Sequence, residues 1–226
     1  MSGDYEVGQH PRTFEREIRK VVRLKYWLYL PEGYGEEDGP WPLMLFLHGG
    51  GEKGDDLDLV LKHGPPKLIS EGKQFPFIVA SPQCPGDSRW PAQIEALHAL
   101  LDDLEAEYDV DPDRVYVTGM SMGGYGTWAL GCDRPERFAA LVPICGGGDR
   151  WRANVLKDVP VWVVHGGKDT VVPPERSEEM VAALRKAGAE PRHTVYPEAG
   201  HDSWTETYDN PELYKWLLEQ RRGKKK

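Results

Sequence analysis

Short, nearly continuous apolar runs recur along the chain, with stretches of helical spacing between them. Residues 42–47, 77–80, 115–118, 139–144, 159–164 and 192–196 read as strands. Most lack strict apolar–polar alternation, which fits strands covered on both faces, as in a parallel sheet. Ahead of them, residues 17–22 and 25–30 read as two strands joined by a short turn, an antiparallel start. Ile94, Leu97, Leu101, Leu104 and Tyr108 form one apolar stripe at steps of three and four, predicting a surface helix. Residues 124–132 are helix-compatible. A further helix follows Pro173-Pro174, carries Met180, Ala183, Leu184 and Ala187, and stops at Gly188. Residues 211–219, with Leu213, Trp216 and Leu217, close the chain.

Repeated strand–helix–strand units imply an α/β class with a mostly parallel central sheet of about eight strands, helices on both faces and right-handed crossovers. No repeat, linker or composition break divides the 226 residues. The expectation is one catalytic domain over 1–226, with an N-terminal extension (1–16) and a basic tail (222–226).

The chemistry sits where these strands end. Gly119-Met120-Ser121-Met122-Gly123 follows the strand at 115–118 and runs into a helical stretch. A sharp strand-to-helix turn strains and exposes its apex residue, and Ser121 occupies that apex, at a helix N-terminus that favours developing negative charge. Ser121 is the candidate nucleophile. His48-Gly49-Gly50-Gly51 follows the first buried strand, where such a fold supplies a second N–H for an oxyanion. Met122 is one expected donor, and Gly50 or Gly51 the other. Phosphate binding fits this loop poorly, because Glu52, Asp55 and Asp56 would repel an anion. His48 reads as a loop brace.

Two later strands end in an acid and a histidine. Residues 161–164 run into His165-Gly166-Gly167-Lys168-Asp169, and residues 195–196 into a turn ending at His201. The order Ser121, Asp169, His201 suits a triad with Asp169 as acid and His201 as base. Asp149 is the rival acid. Asp202 and Ser203 read as a cap for a helix starting near Trp204. His165 reads as a buried, hydrogen-bonded loop residue, and His10, His63, His98 and His193 as surface groups. Trp90 and Trp204 are candidates for a substrate-stacking wall, with core packing as the alternative.

Composition narrows the partners. Lys plus Arg number 28 against 37 Asp plus Glu, a net charge of -9, which disfavours nucleic acid and anionic membranes. The basic run Arg221, Arg222, Lys224, Lys225 and Lys226 reads as a solvated end. No segment approaches the ~20 apolar residues of a membrane span, and residues 1–19 lack the apolar core of a signal peptide. A soluble chain is expected, compatible with a domain cut from a longer secreted protein. Cys84, Cys132 and Cys145 are odd in number and lack metal-ligand spacing, so idle buried thiols are expected, with no metal and no cofactor.

The elbow Gly-Met-Ser-Met-Gly-Gly, the block at 47–54, the turn at 165–169 and the ending Gly200-His201-Asp202-Ser203-Trp204 together resemble single-domain bacterial carboxylesterases of the α/β-hydrolase superfamily. Feruloyl esterases, polyhydroxybutyrate depolymerases and the catalytic domains of prolyl-oligopeptidase-like enzymes are related to these. The resemblance runs from about Arg19 to the last helix. It implies cofactor-free acyl transfer through Ser121 on a small-molecule or polymer-linked ester. A peptidase with the same triad and a feruloyl or acetyl esterase are the alternatives. Only about fourteen residues follow the strand at 139–144 before the next one, so no large cap is expected and the site should suit short acyl chains or ester groups hanging from a polymer; the expected activity is on short-chain or aryl esters.

Overall fold

The computed structural model describes residues 9–36 and 39–223. Seven strands, β1 (Tyr26–Tyr29), β2 (Trp41–Leu47), β3 (Ile78–Pro82), β4 (Val110–Met120), β5 (Ala140–Ile144), β6 (Trp162–Gly166) and β7 (Arg192–Tyr196), form one sheet in the order β1-β3-β2-β4-β5-β6-β7. β1 is antiparallel to β3, and every other neighbouring pair is parallel. Among the described residues six α-helices accompany it: α1 (Gly64–Ser70), α2 (Ile94–Glu107), α3 (Met122–Asp133), α4 (Glu175–Lys186), α5 (Trp204–Asp209) and α6 (Pro211–Glu219).

Strand periodicity of two decides the layers. Leu43, Leu45 and Leu47 face one side with Val115, Val117 and Val163, under Leu97, Leu101, Trp128, Met180 and Leu184 of α2, α3 and α4. Met44 and Phe46 face the other with Tyr116, Val142 and Val164, under Tyr208, Leu213 and Leu217 of α5 and α6. The sheet is thus buried on both faces, as its continuous apolar runs required. Each such fully buried aliphatic side chain contributes about 1.5–3 kcal/mol.

The seven strands agree with the expected mostly parallel sheet of about eight. Residues 17–22 form no strand: β1 takes the edge beside β3, and Phe14, Ile18 and Val21 are 83%, 83% and 75% exposed. Helix α1 opens on Gly64-Pro65-Pro66. The prolines occupy its first turn, where a missing N–H costs nothing. The basic end is also less free than expected. Arg221 pairs with Asp111 at 3.0 Å and Arg222 with Asp113 at 3.1 Å. Lys224 to Lys226 and the first eight residues of the N-terminal extension lie outside the described residues.

Two consequences position the site. The chain passes from β2 to β3 on one side and then crosses to β4 on the other, opening a crevice at the carboxyl ends of β2 and β4. Between β5 and β6 the only helical element is a 3₁₀ turn, Ala153–Leu156, so no cap covers that crevice there. Among the described residues no helix is long and apolar enough to cross a membrane.

Candidate active site

Ser121 lies between the end of β4 and the start of α3, with φ 53° and ψ −116°. That region is costly for a residue with a side chain, and the surroundings hold it there. Its N–H donates to the Ile144 carbonyl at 2.9 Å and lies 3.3 Å from Cys145 Sγ. A Cβ on Gly123 would fall 1.8 Å from the Leu47 carbonyl oxygen, and one on Gly119 would fall 2.5 Å from that of Gly123. Bare glycine backbone therefore lets the first turn of α3 press against the end of β2, next to the glycine-rich loop.

His201, after β7, places Nε2 2.9 Å from Ser121 Oγ and Nδ1 2.7 Å from Asp169 Oδ2. Facing a carboxylate, Nδ1 carries the ring proton, which leaves the Nε2 lone pair aimed at the serine hydroxyl. Asp169 Oδ1 accepts from the N–H groups of Val171 (2.8 Å) and Val172 (3.0 Å). Burial pushes this carboxyl up, but the bonds from His201, Val172 and Val171 outweigh it and hold Asp169 below its ordinary value. The loops that carry the acid and the histidine are laced together. Gly167 N–H donates to Tyr196 at 2.7 Å, and Lys168 N–H to Ala199 at 2.9 Å. A Cβ on Gly166 would sit 2.0 Å from the Gly200 carbonyl oxygen.

The loop after β2 is braced from below. Cys84 N–H donates to His48 Nε2 at 2.9 Å, so Nδ1 carries the proton and donates to the Gly49 carbonyl at 2.6 Å. Burial lowers the His48 pKa to about 4, keeping the ring neutral. Because carbonyl and N–H point opposite ways in a trans peptide, the N–H of Gly50 is turned away from the buried ring. Gly50 and Gly51 are exposed, and Ser121 and Met122 are half-buried. The first N–H groups of α3 have no partner within the helix, so that of Met122 is free to meet an anion.

Trp90 requires a correction. It is 0% exposed, and its indole N–H donates to the His48 carbonyl at 2.9 Å. It props the loop from inside and offers no face to a substrate. Trp204 is half-buried, edge-on to His201 at 5.3 Å and to His63 at 5.6 Å between ring centroids. His63, read from the sequence as a surface group, thus belongs to the rim of the site, 3.9 Å from Glu52. Glu52 is nine-tenths buried, and its Oε2 lies 3.7 Å from His48 Nδ1. Helix-distant contacts of this kind leave no periodic trace in a sequence. His98, also read as a surface group, is buried beside Asp133 at 3.2 Å. Asp149 is exposed and accepts from the Trp151 N–H, away from His201. Asp202, as the sequence suggested, caps α5 through the Thr205 N–H at 3.0 Å.

Cys84, Cys132 and Cys145 are buried free thiols. Burial pushes Cys145 up to about 12, so the sulfur beside Ser121 stays a neutral thiol and does not compete as a nucleophile. Among the described residues no cluster of His, Cys, Asp or Glu could hold a metal ion.

Comparison with known proteins gives a consistent picture. The sequence profile described as "Dienelactone hydrolase family" matches residues 86–214, more than half of the chain. A bifunctional acetylxylan esterase/xylanase of Neocallimastix patriciarum is 30% identical over 149 residues, 64% of this chain but 22% of that protein. A thermostable esterase of known structure superposes with a TM-score of 0.76 at 36% identity, covering 89% of this chain and 60% of the other. The chain therefore spans less than two thirds of either. A feruloyl esterase module from Clostridium thermocellum, complexed with sinapinate, shares the fold at 18% identity and a TM-score of 0.64.

Proposed function

The chain belongs to the dienelactone hydrolase family, and from that premise we propose that it is a serine carboxylesterase acting on short-chain or aryl esters. The unbroken line of hydrogen bonds Ser121–His201–Asp169, at 2.9 and 2.7 Å, carries this reading. His201 Nε2 takes the Ser121 proton as Oγ attacks the ester carbonyl carbon. The oxyanion is met by the N–H of Met122 and, given the tethered Gly49 carbonyl, by that of Gly50 rather than Gly51. The ester C–O bond breaks, His201 returns the proton to the departing alcohol, and an acyl-Ser121 ester remains. Water, deprotonated by the same imidazole, then releases the acid. Asp169 fixes the Nδ1–H tautomer and stabilises the charged ring.

Substrate class is argued from the surroundings. No insertion after β5 shields Ser121, so there is little apolar wall for a long acyl chain. The Glu52 carboxylate beside the oxyanion loop disfavours anionic acyl groups and favours neutral esters. Trp204 offers a ring edge next to the base, suited to an aryl or sugar-linked ester such as the names of the related esterases suggest. All these groups hang on one sheet, so a single catalytic domain suffices.

Hydrolysis of p-nitrophenyl esters from acetate to palmitate, with Ser121→Ala in parallel, tests the proposal. Activity on acetate and butyrate that vanishes in the variant supports it. A preference for palmitate, or turnover that survives in Ser121→Ala, contradicts it.

A further inference from the structure

His165 is the penultimate residue of β6, and its ring, like the Asp169 carboxylate, is completely shielded from solvent. Nε2 lies 2.9 Å from the Val172 carbonyl oxygen and 3.2 Å from Asp169 Oδ2. Nδ1 lies 2.6 Å from Ser177 Oγ, which in turn is 3.0 Å from the Gly146 carbonyl oxygen. Both oxygens facing Nε2 are acceptors, one a peptide carbonyl and the other a carboxylate. A lone pair on Nε2 would be repelled by both, so that nitrogen carries a proton.

Asp169 then has four donors for its two oxygens. Val171 and Val172 serve Oδ1, His201 serves Oδ2 at 2.7 Å, and the one His165 Nε2–H is shared between Oδ2 at 3.2 Å and the Val172 carbonyl at 2.9 Å. A carboxylate offers about four acceptor sites, so its plane is fully determined. We infer that His165 is a positioning residue: its Nε2–H holds Asp169 Oδ2 in line with His201 Nδ1, and Ser177 holds the ring that does so. This rests on the reading of Asp169 as the acid of the triad. The same network reaches the nucleophile from behind. Gly146 packs on Gly124 in the first turn of α3, where a Cβ on Gly146 would come within 2.8 Å, and the preceding Cys145 touches the Ser121 N–H. One anchored unit thus sets both ends of the Ser121–His201–Asp169 line.

The test separates positioning from mere filling of space. In His165→Gln the side-chain amide reaches the place of Nε2 and can still donate to Oδ2. In His165→Asn it reaches only the Nδ1 side, toward Ser177. With p-nitrophenyl acetate, His165→Asn should lose about 10–100-fold in kcat, the usual cost of removing an outer partner of a site residue. KM should stay within about threefold, and His165→Gln should recover most of the rate. The two variants should melt alike. Equal impairment of both, or no loss in either, overturns the inference. A readout on the unmutated protein covers the case in which a variant does not fold. In ¹⁵N-histidine spectra the His165 Nε2 should appear as a protonated nitrogen, and an unprotonated one overturns the inference. Asp169→Asn is assayed alongside. If it retains full kcat, the reading of the triad fails and takes this inference with it. If it is inactive while His165→Asn is not, only the inference fails.

Discussion

β2 and β6 both close on His-Gly-Gly, at His48-Gly49-Gly50 and His165-Gly166-Gly167, and both rings are fully buried at the active-site end of the sheet. Their partners differ. The His48 ring makes its hydrogen bonds to backbone, accepting from Cys84 and donating to Gly49, and so shapes a loop. His165 meets one carbonyl, that of Val172, but also two side chains, Ser177 and Asp169, and so shapes a carboxylate. The glycines differ in the same sense. A Cβ on Gly49 would meet the flexible Glu52 side chain at 3.1 Å, whereas one on Gly166 would meet the Gly200 backbone at 2.0 Å. The β2 end leaves the backbone of Gly50 and Gly51 exposed. The β6 end keeps a neighbouring loop close enough for His201 to reach Asp169. One tripeptide serves two purposes because the adjoining chain, rather than the motif, supplies the partner.

The largest effect expected from breaking this comparison is at the acid. Asp169→Asn should lower kcat by roughly 10⁴-fold, since an amide cannot hold the same tautomer of His201. A loss under tenfold would mean that the β6 end does not supply the acid.

Adding one methyl at each end sharpens the contrast. Gly166→Ala must displace backbone and should cost about 3 kcal/mol or more, at the upper end of overpacking costs. Gly49→Ala can be accommodated by a shift of Glu52 and should cost about 1 kcal/mol or less. Urea midpoints of the two variants against the parent measure this difference, and equal costs would refute it.

A smaller, pH-dependent effect belongs to His48. Its folded pKa of about 4 lies below the unfolded value of 6.5, so the unfolded chain binds the extra proton first. The stability it confers is complete above pH 6.5 and is lost as pH falls toward 4, on the order of 3 kcal/mol in all. His98 and His193 are shifted the same way and add to the decline. His48→Gln should flatten only the His48 share of the slope between pH 7.5 and 5, and unchanged slopes would contradict the assignment.

The smallest difference concerns the two tryptophans. Trp90→Phe loses the bond to the His48 carbonyl and should cost about 1 kcal/mol of stability beyond any lost packing. Trp204→Phe should leave stability nearly unchanged and alter KM for aryl esters by a few-fold, through a changed contact beside His201. A change in aryl KM confined to Trp90→Phe would reverse the two roles.

Much of this arrangement was legible in the sequence, because its signals are local. Buried parallel strands announce themselves as apolar runs, and each site residue falls in the few positions after one of them. What stayed hidden depends on partners distant in sequence. Trp90 looked available until the His48 carbonyl, 42 positions earlier, claimed its N–H. His63 gained a role only because Trp204 packs against it from the far end of the chain. Residues 17–22 suggested a strand, yet a strand needs an edge, and β1 already occupied it. Arg221 and Arg222 looked like a free end until Asp111 and Asp113 met them across the fold.

The central claim is that Ser121 carries the acyl group. The most direct measurement is an acid-quenched reaction with p-nitrophenyl acetate, followed by mass spectrometry of the tryptic peptide spanning residues 115–137. One acetyl group per chain on Ser121, absent from Ser121→Ala and greatly reduced in His201→Ala, is the predicted result. Turnover with the acetyl group on another residue, or undiminished in Ser121→Ala, would contradict the account.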